Sequence, residues 1–150
     1  MADPVLASMV HALGLENARH YTAATPKVQA YRNRWVELAP LRDGPVNSQR
    51  HEVSDPAEMT KQIKAKALEF GADMVGVCRL QPHMIDLGAD VPHEYVIVAC
   101  VAEDYEKVLH GANAVEEEAM RVYARCTEIA TDLAAYVRAL GCPARAHHNG

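Results

Sequence analysis

The strongest periodicity in this chain runs over 114–140. There Val115, Ala119, Val122, Cys126, Ile129, Leu133, Tyr136 and Leu140 recur at alternating steps of four and three, the spacing of one helical face. Glu116, Glu117 and Glu118 fall in the predicted first turn and Arg138 in the last, as the helix dipole favours. Glu117 and Arg121 form an i, i+4 pair, and Gly141 closes the helix. A second helix is predicted over 55–71. Asp55-Pro56-Ala57-Glu58 reads as a capping box with a first-turn proline, Met59, Ile63, Ala67 and Phe70 make the apolar face, and Gly71 ends it. Lys61, Lys64 and Lys66 point away from that face.

Two strands are predicted, near 73–80 and 94–101, joined by a turn-rich link with Pro82, Gly88 and Pro92. The second is apolar on consecutive positions and rich in β-branched residues, which predicts a central strand buried on both faces. The run from Cys142 to His148 predicts a third strand, near 143–148, or a loop. Upstream, Asp3 and Pro4 open a short helix whose apolar positions Val5, Leu6, Met9, Val10 and Leu13 end at Gly14. The stretch 15–53 is weakly patterned, with Pro26, Pro40, Pro45, the turn-like Arg42-Asp43-Gly44-Pro45 and a helical piece over 28–38. The expected organisation is an N-terminal arm with a short helix at 1–53 and an α/β (α+β) body at 54–150, its small sheet packed by two main helices.

At 150 residues the length is that of one domain. The formal charge is −5. Residues 1–53 carry six basic and five acidic groups, and 54–150 carry nine against fifteen. That acidic excess argues against a phosphate-backbone partner, so no nucleic acid is expected. No apolar run is long enough to span a membrane. The N-terminus lacks a basic region, twin arginine or cleavage pattern, so a cytoplasmic location is expected. The four cysteines, Cys78, Cys100, Cys126 and Cys142, contain no CxxC pair, which leaves no local zinc or iron–sulfur run and predicts four reduced thiols.

Candidate chemistry is sparse. His147 and His148 are the most conspicuous polar pair, but adjacent strand residues point to opposite faces, so they do not share one ion. One of them could face a cofactor across a strand end, and the plainer alternative is a solvated surface pair. His83, His93 and His110 sit in or beside linkers and read as surface histidines. Cys78 and Cys100 lie in strand patterns and Cys126 on the helical stripe, where cysteine is usually a small buried hydrophobe. The three consecutive glutamates spread around the helix axis and read as helix-start charge rather than a metal site. No GxGxxG or GxxxxGK[ST] loop occurs.

Three pieces in order resemble a known family. They are IKAKALEFGADMVGV at 63–77, PHEYVIVA at 92–99, and ATDLAAYVRALGCPA at 130–144 running on to HHNG at 147–150. Together they resemble the N-terminal part of the cobalamin-dependent reductive dehalogenase and epoxyqueuosine reductase superfamily. The resemblance implies part of a nitroreductase-like sandwich and a corrinoid cofactor, cobalamin. It also implies a chemistry in which cob(I)alamin, fed by iron–sulfur clusters, removes halide or reduces an epoxide. Cluster-binding cysteine runs and the catalytic tyrosine or aspartate of the family have no counterpart here. The expectation is therefore an incomplete or split form without a cluster of its own, inactive alone, that forms a homo-oligomer or joins a second protein chain. Arg145, His147, His148 and Asn149 come from the stretch that approaches the cofactor in that family. The alternatives are a non-enzymatic binding or assembly subunit that completes its core with another chain, and a small flavin or thiol redox protein.

Overall fold

The computed structural model describes residues 25–85, 88 and 90–147. The predicted helix at 3–14 lies outside them. One 28-residue helix, two of 13 and 14 residues, a four-residue one and two strands appear in the order α1 (Pro26–Leu38), α2 (Pro56–Glu69), β1 (Met74–Arg79), β2 (Tyr95–Cys100), α3 (Tyr105–Val108) and α4 (Ala112–Ala139). The fold is α+β, as the sequence predicts.

Local chemistry sets the boundaries. The Thr25 hydroxyl accepts from the Val28 amide at 3.2 Å and Pro26 opens α1, so that helix begins two residues before the predicted one. Asp55 accepts from the Ala57 amide at 2.8 Å, while Glu58 pairs with Lys61 instead of closing a capping box. At the end of α2, Gly71 takes φ +99°. Its amide bonds to the Leu68 carbonyl and that of Ala72 to Ala67, which satisfies two orphan carbonyls. Lys66 does not simply point away. Its ammonium lies 5.1 Å from the Phe70 ring centroid and 5.6 Å from that of Tyr136.

The strands pair antiparallel, with Met74 opposite Cys100 and Arg79 opposite Tyr95. Bonds from the Asp73 amide to Cys100 and from Leu80 to Glu94 extend the ladder at both ends. Among the described residues the sheet has these two strands alone. Residues 142–147 form no ladder, so the third predicted strand is absent there. Nor is β2 buried on both faces. Val75, Val77, Ile97 and Ala99 share one half-buried face, whereas Met74, Gly76, Cys78, Val98 and Cys100 on the other are exposed. The physical reason is that the helices cover one side only, leaving the apolar run of β2 half-used.

Helix α4 is the centre of the molecule. It touches α1 along one side and α2, α3 and β2 along another. Double coverage explains why its buried set is wider than the predicted stripe. Val122, Ile129 and Leu133 are buried as expected, but so are Ala124, Ala134, Thr127 and Thr131, while Val115 at the head of the stripe is exposed. Each buried branched side chain contributes roughly 1.5–3 kcal/mol. Helix α1 runs alongside in the same direction. Lys27 meets Glu117, Arg32 meets Glu116, Trp35 stacks on Tyr123 at 5.5 Å, and Arg34 reaches Glu128. Arg125 bridges Glu128 to the Phe70 carbonyl, so one polar chain ties α1 and α2 to α4. No helix among the described residues is long and apolar enough to cross a membrane.

Candidate functional site

Two polar centres flank α4. The first lies at its C-terminal end, where the last carbonyls of a helix need outside donors. The incoming segment supplies them. The Asn47 amide bonds to the Arg138 carbonyl at 3.0 Å, its side chain to Ala139 at 3.0 Å, and the His51 amide to Leu140 at 2.9 Å. Gly141, at φ +80°, turns the chain back against Arg50, where a Cβ would strike the Arg50 backbone.

After this turn the chain forms neither helix nor ladder from Cys142 to His147. Arg138, 7% exposed, holds it in place. One guanidinium nitrogen donates to the carbonyls of Ala144 at 3.0 Å and Arg42 at 3.2 Å, and the other reaches Leu41 at 3.4 Å. Two residues further on, the Ala146 amide bonds to the Arg42 carbonyl at 3.0 Å and the Arg42 side chain returns a bond to Ala146. Arg145 pairs with Asp43 at 3.4 Å. The result is a cationic corner in an acidic chain.

Of the residues singled out in the sequence, Arg145 and His147 both stand at this corner, exposed. His148 and Asn149 lie outside the described residues. Partial desolvation lowers the affinity of His147 for its proton, and the charges of Arg145, Arg42 and His93 push the same way, against a smaller pull from Asp43. His147 is thus held toward its neutral form, able to accept as well as donate a hydrogen bond. His93, read as a linker histidine, belongs to the same electrostatic neighbourhood. Sequence reasoning missed Arg42 and gave Arg138 only a dipole role; the sole available signal was an arginine in the last turn before a glycine.

The second centre is near the start of α4. Glu118 is 1% exposed and accepts from Arg121 at both oxygens, from the Asp104 amide at 2.7 Å and from Lys107 at 3.3 Å. The Arg121 bonds lead in pulling its carboxyl down to about 2, against a cost from burial. Arg121 also donates to the Ala102 carbonyl, fixing the turn that leaves β2. The glutamate triplet therefore is not helix-start charge. Its members sit beyond the first turn and each meets a different cation, and Arg121 pairs with Glu118 rather than Glu117. A shallow cleft of about 270 Å³ opens here between Lys27, Lys107, His110, Ala114, Glu117 and Glu118. A wider one, about 610 Å³, is lined by 50–54.

Among the described residues no three His, Cys, Asp or Glu side chains gather as metal ligands. Cys78 and Cys100 are exposed rather than buried, and Cys126 and Cys142 are half-buried. Burial raises the Cys126 thiol, which makes it a poorer nucleophile.

The sequence matches no protein-family model and no curated protein. Solved structures do match. The catabolic reductive dehalogenase NpRdhA superposes with a TM-score of 0.64 at 30% identity, over 82% of this chain and 19% of that one. The same enzyme in complex with 3-bromo-4-hydroxybenzoic acid gives 0.63 at 34% identity, over 81% and 18%. A reductive dehalogenase whose structure is described as suggesting a mechanism for B12-dependent dehalogenation gives 0.64 at 29%, over 82% and 18%. The resemblance read from the sequence is borne out, and the chain has a reductive dehalogenase-like fold over about four-fifths of its length. It spans about a fifth of the length of these relatives.

Proposed function

We propose that this chain is a corrinoid-associated protein related to the reductive dehalogenases, and that Arg145 and His147, with His148 and Asn149 beyond them, face the cofactor. The observation that carries this reading is the agreement in fold with dehalogenase structures, one of them described as B12-dependent, at about 30% identity. The donor set is compatible with the group. An arginine and a neutral-leaning histidine suit the carboxamide and phosphate edges of a cobalamin. Neither cleft is lined by these residues, and both are open, so the chain would offer one wall and not a closed pocket. When bound, the corrinoid would supply the reductive chemistry. The chain's own part is to bind and orient its edge. Further polypeptide would supply the iron–sulfur clusters and the proton donor. Four reduced thiols in the cytoplasm, a division into an N-terminal arm at 1–53 and a body at 54–150, and no cluster held by this chain complete the reading.

Adding the protein to cobalamin should change the corrinoid absorption spectrum in a saturable way, and His147→Ala should weaken the change. An unaltered spectrum at high protein concentration would sink the proposal. Iron–sulfide reconstitution of the chain alone should give no stoichiometric cluster.

A second reading, an assembly subunit that completes its core with another chain, is favoured by the open sheet face. Met74, Gly76, Cys78, Val98 and Cys100 carry no charge and are exposed, which is costly to leave in water. Light scattering separates the cases, because a stable monomer at micromolar concentration would remove the argument for a partner.

A further inference from the structure

We infer that Arg138 is a positioning residue: its buried guanidinium gathers the carbonyls of Leu41, Arg42 and Ala144 and thereby sets where Arg145 and His147 stand. The inference rests on the corrinoid reading for its functional weight, while its geometry stands on the corner itself.

The alternation of burial carries it. From Cys142 to His147 the chain forms neither helix nor ladder, and side chains that alternate in burial along it point to opposite sides, as on a strand. Ala144 is half-buried and Ala146 is 3% exposed, whereas Pro143, Arg145 and His147 between and beyond them are exposed. The bonds that hold the segment fall on the inward residues, at the Ala144 carbonyl and at both backbone groups of Ala146. Fixing the even positions presents the odd ones, so Arg145 and His147 share one outer side. Without a ladder neighbour, this segment has no other regular restraint among the described residues.

Arginine suits the task and lysine does not. The planar fork spans carbonyls from two stretches roughly 100 residues apart in sequence, whereas an ammonium is a point donor on a flexible stem. No carboxylate pairs with Arg138 among the described residues, so its buried charge is balanced by carbonyls alone and their placement is tightly coupled to it. Gly44 leaves the room. A Cβ there would lie 3.2 Å from Arg138 Nε and 3.3 Å from Nη2, tight enough to shift the guanidinium without removing its charge.

The test uses the full chain and the histidine resonances, with His147 assigned through His147→Asn. In the native protein the His147 ring should titrate below an ordinary histidine. Arg138→Met should move that midpoint up, as the segment leaves Arg42, His93 and the partly desolvated position; the smaller, opposing pull of Asp43 is lost with them. Arg138→Lys should not restore the native midpoint, and Gly44→Ala should shift it the same way by less. Asn47→Ala loosens the same helix end without touching 144–146, so it should lower stability and leave the midpoint in place. If cobalamin binds, Arg138→Lys should raise the half-saturating concentration about tenfold, as loss of a supporting partner commonly does. An unchanged midpoint in both Arg138→Lys and Gly44→Ala would overturn the inference, and so would an equal shift in Asn47→Ala. Should Arg138→Met fail to fold, the two milder variants decide. A native protein that leaves the cobalamin spectrum unaltered refutes the corrinoid reading, while the titration still settles the role of Arg138.

Discussion

Replacing Glu118 with glutamine isolates the buried charge beside the start of α4. The carboxylate is 1% exposed and its pKa is lowered from 4.5 to about 2, first by the Arg121 bonds and then by the Asp104 amide and Lys107. A shift of that size corresponds to roughly 3 kcal/mol at neutral pH. Arg121 and Lys107 are 31% and 53% exposed, so solvent screens part of the attraction and about 2 kcal/mol is the working expectation. Because the folded carboxyl titrates below the unfolded one, this stabilisation is fully present above about pH 4.5 and is lost as pH falls toward 2. Urea unfolding followed by circular dichroism, on native protein and Glu118→Gln between pH 3 and 8, gives the comparison. The native advantage should be flat from pH 5 to 8 and roughly half gone by pH 3. A gap under about 0.5 kcal/mol at pH 7, or one that does not narrow in acid, would refute the assignment of a buried, functioning ion pair.

Thr131 Oγ1 is buried with no hydrogen-bond partner among the described residues. Thr131→Val should therefore raise unfolding stability by about 1 kcal/mol, and a loss of that size would mean the hydroxyl is bonded after all. Gly71→Ala forces a side chain into φ +99° and against Arg125 Nη2, so it should cost about 2 kcal/mol. Gly76→Ala, where a Cβ meets nothing within 4 Å, should cost clearly less in the same melt. With dithionitrobenzoate, Cys78 and Cys100 should react fast in the native chain and Cys126 slowly, given its exposure and raised thiol pKa. Four thiols should appear on denaturation without reductant, and a count of two or none would exclude a fully reduced chain.

The elements that the sequence locates well are those whose signals are local. Helix α2 and the two strands fall within two residues of the predicted ranges, because Asp55, Pro56 and Gly71 mark the helix ends and the β-branched run of 96–98, flanked by turn residues, favours a strand. Helix α4 also appears where its three–four spacing places it. Its buried set was legible only in part: Val122, Ile129 and Leu133 follow the stripe, but Glu116 is buried against Arg32 of α1 and Arg138 against the carbonyls of 41–42 and 144. Helix α1 docks through Lys27, Arg32, Arg34 and the Trp35–Tyr123 stack as well as the buried Val28 and Leu38, two apolar positions ten residues apart that make only a weak stripe to read. The burial forecast for β2 failed in the opposite direction. Its sequence is apolar on both faces, but among the described residues only one of them is covered.

The corner at the end of α4 shows the same division between what residues announce and what only the fold assembles. The resemblance pointed to Arg145, His147, His148 and Asn149; the first two stand at this corner, and the other two lie outside the described residues. Yet what organises them is a set of backbone carbonyls from 41–42 and 144, which carry no sequence signature at all. The strand predicted over 143–148 is half right in its physics: the inward–outward alternation is present at Ala144, Arg145, Ala146 and His147, although no ladder is. Pro143 has no amide to give a neighbouring strand, and the one backbone bond from Ala146 goes to Arg42, a residue in no strand. A segment held by the Arg138 guanidinium and the two Ala146–Arg42 bonds instead of a sheet can shift if that guanidinium moves, because Arg138 also holds the Arg42 carbonyl. That dependence makes Arg138, which no motif marks, the residue through which the corner is best perturbed.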